Sequence, residues 1–118
     1  MTPHTVTITV NNDGDFTYSP STLHAKVVDT VSWTSGTLGP FAISFMDSTP
    51  FPVVSLSSHK NGKGEHVIDP QQIQEDTVGH HHYAVAVAHT TSGPDVAMST
   101  TVFLDSGCPD IVVSNDGN

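Results

Sequence analysis

The eight histidines are the sharpest chemical anomaly in this chain of 118 residues. Imidazole ligates divalent metals, carries protons near neutral pH and activates hydroxyl or thiol nucleophiles. Three stand together as His80-His81-His82, and His89 follows seven residues later. On a β-strand His80 and His82 point to one face, with Cα atoms about 6.6 Å apart. Two imidazoles at that spacing can chelate one ion. They favour Cu(II), Ni(II) or Zn(II) over Ca(II) or Mg(II). A tight site needs a third ligand, for which His4, His24, Glu65 and His66 are candidates. The metal set that follows is His80, His82, His89 and His24. In the plainer alternative, His80 and His82 are solvent-facing strand residues, and His81 is a core or edge histidine with its nitrogens satisfied by backbone. Adjacent imidazoles also repel when protonated near about pH 6, which admits a pH switch.

Other chemistry is thinner. Ser19, Ser21 and Ser44 can be paired with a histidine on paper, but no Gly-x-Ser-x-Gly elbow is present. No catalytic residue and no cofactor-binding loop is expected, and the chain reads as not an enzyme. Asp13 with Asp15, and Glu75 with Asp76, are turn residues and solvated charge. They lack the alternating ligands and closing Glu of a calcium loop. Met46 and Met98 are too few for a Met-rich Cu(I) site. The single cysteine, Cys108, excludes an internal disulfide and any zinc site with two thiolates.

Composition narrows the partners. There are 12 acidic residues against 3 lysines and no arginine, for a net charge of −9. Little is available to neutralise phosphates, so nucleic acid is not an expected partner. Anionic membrane surfaces are disfavoured for the same reason, and no apolar run reaches membrane-spanning length. The charged fraction of 13% is about half the usual value, so the chain is not held open by charge. Thirteen Ser and 15 Thr take the polar positions instead. The opening Met1-Thr2-Pro3-His4 carries neither a basic region nor an apolar one, so no secretory leader is read in it.

The elements that must position these residues have period 2, not 3.6. In Thr5-Val6-Thr7-Ile8-Thr9-Val10, apolar β-branched residues alternate with Thr, the pattern of a half-buried strand. Phe16 and Tyr18 lead into Ser19-Pro20. Alternation predicts further strands at 23–27, 31–34, 41–45, 79–89, 100–104 and 111–113. Residues 46–64 lose the period and read as a long connection, with one short strand or turn at 53–56. Residues 65–68 read as a strand. Asp69-Pro70-Gln71-Gln72-Ile73 read as a helical turn with Asp69 as its cap. Residues 90–95 read as a turn. The expected core is Val6, Ile8, Val10, Leu23, Val27, Val31, Trp33, Ile43, Phe45, Tyr83, Val85 and Val87. The whole predicts one domain over 1–118, with 115–118 a frayed tail: an all-β sandwich or barrel of seven to nine strands.

The block from Phe16-Thr17-Tyr18-Ser19-Pro20 through Val27-Val28-Asp29-Thr30-Val31-Ser32-Trp33 resembles the opening of the cupredoxins. There an aromatic-x-Pro segment precedes a strand, a Gly-Asp-x-Val turn and an aromatic. Gly39-Pro40-Phe41-Ala42-Ile43-Ser44-Phe45 looks like the next family strand. Residues 79–88 look like the late strand that begins Gly-x-Tyr. The resemblance covers about two-thirds of the chain, and Val28 stands where the family has Gly. It implies a single all-β Greek-key sandwich of cupredoxin type, and a periplasmic or extracellular setting. Carried over by position, the family's first copper-binding His falls at Phe41 and its thiolate at Val85. The second His falls near Ala88, beside His89, and Met98 could serve as the axial Met. The thiolate and first imidazole of a type-1 copper site are therefore missing.

The function expected is a non-catalytic binding or structural module without type-1 copper. The alternative is capture of Cu(II), Ni(II) or Zn(II) through the histidines, for transport, buffering or sensing. A homodimer through strand edges fits either reading, because three lysines leave the edges poorly guarded.

Overall fold

The structure, a computed structural model, describes residues 1–11, 13–36, 38–93, 96–105 and 109–115, with backbone alone over 90–100. Alternation of β-branched and small polar residues runs through most of the chain, and the described residues are accordingly all strand and connection. They form β1 (Pro3–Val10), β2 (Phe16–Ser19), β3 (Thr22–Lys26), β4 (Thr30–Gly36), β5 (Phe41–Phe45), β6 (Ser55–Ser57), β7 (His59–Lys60), β8 (His66–Gln72), β9 (Gly79–Gly93), β10 (Val96–Asp105) and β11 (Asp110–Ser114).

Two mixed sheets pack face to face. One has the order β2-β1-β4-β8-β7. The other has the order β3-β11-β9-β5-β6, with β10 paired to β9 beside β11. Each sheet contains one parallel pair, β1 with β4 and β3 with β11. The remaining pairs are antiparallel.

The inward positions of both sheets interdigitate into one core. Trp33 on β4 and Tyr83 on β9 occupy its centre, with ring centroids 5.9 Å apart and planes at 85°. Phe45 and Phe51 complete the aromatic cluster. Each such side chain contributes about 1.5–3 kcal/mol by leaving water. Of the expected core, only Val27 is half-buried; the other eleven residues are buried. Phe51, Ile68, Ile73, Ile111 and Val113 are also buried, and the expected core omitted them.

Three expectations need correction. Among the described residues there are eleven strands, not seven to nine: β2 reads in sequence only as a lead-in to Ser19-Pro20, and β7 lies in the stretch read as a connection, where β6 overlaps the short strand or turn expected at 53–56. Residues 69–73 are not a helical turn. Asp69 to Gln72 belong to β8, and Ile73 is fully buried. The local cap-and-proline signal lost to pairing with β4. Ile68 lies opposite Trp33 and Gln71 opposite Val31, so three steps on β8 match two on β4. Pro70 sits in that bulge, where no ladder donor is required. Of the turn expected at 90–95, residues 90–93 are strand instead, since β9 continues to Gly93, and 94–95 lie outside the described residues. Met98 lies where only backbone is described, and Cys108 lies outside the described residues. Of the tail, Asn115 alone is described.

Candidate functional site

Strand alternation places His80 and His82 as expected, both exposed on the outer face of β9. His81 is buried on the opposite face, and His89 is half-buried. β11 lies between β9 and β3, so Val112 is opposite both His80 and His24. His24 and His80 thus share one cross-strand row but stand two strand spacings, about 9.6 Å, apart. Asp110 is opposite His82. Its Oδ2 lies 3.6 Å from His80 Nδ1, too long for a hydrogen bond. Among the described residues, no three His, Cys, Asp or Glu side chains gather into a metal-binding group.

His81 is held from both sides. Its Nε2 faces the Thr77 carbonyl oxygen at 2.5 Å and therefore carries the proton. In the neutral ring, Nδ1 then accepts from the Ser48 hydroxyl at 2.8 Å. One nitrogen is satisfied by backbone, as the plainer reading expected; the other uses a serine. No lone pair is left for a metal.

The positions to which the cupredoxin resemblance would assign copper ligands hold hydrocarbon. Phe41 and Val85 are buried on adjacent strands. Val87, opposite Phe41, is fully buried, and Ala88 donates its amide to the Pro40 carbonyl at 2.9 Å. The Ala88 carbonyl lies so close to Gly39 that a Cβ there would overlap it. The backbone is therefore tight where the second imidazole would stand. His89 is opposite Thr101 at the end of this packed region.

The best-built polar cluster is one the metal argument touched only through His4. His4 Nε2 donates to Asp29 Oδ2 at 2.9 Å. The Lys26 amide donates to the same oxygen at 3.0 Å, and the Thr2 amide to Oδ1 at 2.8 Å. Asp29 is buried. Burial pushes its carboxyl up, but the His4 hydrogen bond, the two amides and the His4 charge outweigh that and hold it below the usual value. The cluster lines a cavity of about 230 Å³ with His24, Lys26 and Ser114. With three donors on its two oxygens, Asp29 fastens the first strand to the turn between β3 and β4. Twenty-five residues separate the partners, and only the parallel pairing of β1 with β4 brings them together. No local pattern could have signalled it.

The remaining candidates are surface features. His59 Nε2 lies 3.0 Å from Asp69 Oδ2, with both side chains mostly exposed. The hydrogen bond to Asp69, and then its charge, raise the His59 imidazole. Glu65 accepts from the Asn61 side chain at 3.1 Å and closes a local loop. An open apolar groove of about 320 Å³ runs over Ala42, Ser44, Ala84 and Ala86, walled by Leu104. Comparison with models of known protein families and with curated proteins finds no match for the chain.

Proposed function

We propose that the chain is a non-catalytic binding or structural module, built on a cupredoxin-type Greek-key sandwich that carries no type-1 copper centre. The observation that carries this reading is the packing of Phe41 and Val85 in the core, at the two positions where such a centre needs an imidazole and a thiolate. The two packed sheets, with strands along the whole described chain, are compatible with a sandwich of this kind. The fold assignment draws support from Val28, whose φ of 65° is a glycine conformation at the position where the family has Gly.

The test is Cu(II) addition to the intact chain, read by absorption. A type-1 site gives intense thiolate-to-copper charge transfer. The expected result is its absence, with the fold unchanged by circular dichroism. An intense band that disappears in Cys108→Ser overturns the reading.

A second reading is capture of a divalent ion by His80, His82 and a neighbour. One observation favours it: the Asp110 carboxylate stands 3.6 Å from the His80 imidazole, on the residue paired with His82 across the strands. Ion binding would require their side chains to turn towards one point.

A further inference from the structure

We propose that the outer edge of β10 is a self-association surface, which pairs antiparallel with β10 of a second copy about a two-fold axis near Thr101. The inference deepens the module reading and rests on it for its functional meaning. The physical argument begins where the second sheet narrows. Pairing of β5 with β9 ends at Phe41 opposite Val87. β9 and β10 then run on as a two-stranded ribbon to Gly93 opposite Val96. The molecule is 60 Å along its longest axis. Its radius of gyration, 15.3 Å, exceeds the roughly 13.5 Å of a compact domain of this length. A two-stranded ribbon alone is marginal in water, and its free edges are templates for further strands.

Among the described residues, no strand pairs with the outer edge of β10, which is ten residues long. The outermost strands β2, β3, β6 and β7 have four, five, three and two residues. Short edges guard themselves by offering few ladder positions; β10 does not. The usual chemical guards are missing over 96–104 as well. Residues 79–104 contain one Asp, Asp95, and no Glu, Lys or Arg, and β10 has neither Lys nor Pro; its one carboxylate is Asp105, the last residue of the strand, which accepts from the Tyr18 hydroxyl at 2.6 Å. Ser99-Thr100-Thr101-Val102-Phe103 is rich in β-branched and aromatic residues, with no charge to repel an identical strand. Val102 and Leu104 are 58% and 75% exposed and would gain cross-strand neighbours.

Charge selects the occupant. Two copies at −9 each repel over most of their surfaces. They can approach only along an uncharged strip, and this strip is one. A cationic partner would find no carboxylate within 99–103 to complement it. Antiparallel pairing about Thr101 sets Ser99 opposite Phe103 and Thr100 opposite Val102, so one sequence supplies both sides of an isologous contact.

The experiment is sedimentation velocity of the intact chain over a wide concentration range, with amide hydrogen exchange at its two ends. A reversible monomer–dimer equilibrium is expected. Val102→Lys and Leu104→Lys should each weaken it at least about tenfold by placing like charges at the contact. Val54→Lys, at another exposed apolar site, should leave it unchanged. Amides within 99–103 should gain protection as concentration rises. A single monomeric species at every concentration overturns the proposal. So does a dimer that both lysine variants leave intact, or protection that rises at β3 or β6 instead. If a variant fails to fold by circular dichroism, the exchange pattern of the unaltered chain decides. Failure here leaves the copper absorption test untouched, so the two readings fall separately.

Discussion

Trp33 Nε1 donates to the Tyr83 hydroxyl at 3.2 Å, a hydrogen bond between the two sheets at the centre of the core. Both side chains are almost fully buried, and the bond spans 50 residues of sequence. The indole N–H has no water to fall back on. Tyr83→Phe keeps the ring but leaves that donor unsatisfied, which should cost about 1–3 kcal/mol. A lower urea midpoint with an unchanged slope is the expected result; an unchanged midpoint refutes the assignment.

The same tyrosine gives an alkaline limit to stability. Burial pushes the Tyr83 phenol up to about 12; the Trp33 hydrogen bond works against this, and the Asp110 charge adds to it. The folded chain holds the phenolic proton more tightly than the unfolded chain, whose value is about 10. This contribution is therefore complete below about pH 10 and is lost as pH rises from about 10 towards 12. The full contribution is about 3 kcal/mol. Denaturant midpoints above neutral pH should fall across that window in the native chain, and less in Tyr83→Phe.

Asp29 sets the acid limit. Its carboxyl is held below 3.8 in the fold, so the stability it contributes is present above that value and is lost as pH falls through the folded pKa. Asp29→Asn turns one acceptor into a donor facing His4 or a backbone amide. The expected cost at pH 7 is about 1–3 kcal/mol, with a flatter acid branch in the stability profile. A variant that unfolds along the native acid curve would show that Asp29 is not the group responsible.

Val28 is a strained residue with a simple remedy. It adopts a φ of 65°, a region that costs a β-branched side chain about 1–2 kcal/mol. Its side chain is 39% exposed, so little packing is at stake. Val28→Gly should raise stability by about 1 kcal/mol, less whatever the freer unfolded chain gives back. Thermal unfolding checks this, and a lower midpoint contradicts it.

The histidine pair is separable by calorimetry. On chelator-stripped chain, Cu(II) and Zn(II) should give only weak, sub-stoichiometric heat, unchanged in His80→Ala/His82→Ala. A stoichiometric site tighter than about micromolar, lost in the double variant, would move the metal reading to first place.

Much of the architecture was legible in local pattern. Period-2 alternation marked β1, β3, β4, β5, β9 and most of the core, because burying one face of a strand fixes every second residue. The faces of His80, His81 and His82 followed from the same rule. Where alternation was absent the reading weakened. β7 has only two residues, His59 and Lys60, both exposed, and leaves no periodic trace. Phe51 and Ile73 are buried outside any alternating run, held by the tertiary packing around them.

The amino-acid sequence by itself determined the strand-forming character of the chain, its acidity, and the lack of a second thiol or an alternating calcium loop. These depend on residue types and on spacings within a few positions. Only the tertiary structure decided which distant groups meet. The His4–Asp29 bond, the Trp33–Tyr83 bond, the bulge that carries Pro70 and the unpaired edge of β10 each arise from strand pairing or packing across the fold. Strand order and register are set by burying all the apolar faces at once, a condition that no short window of sequence contains.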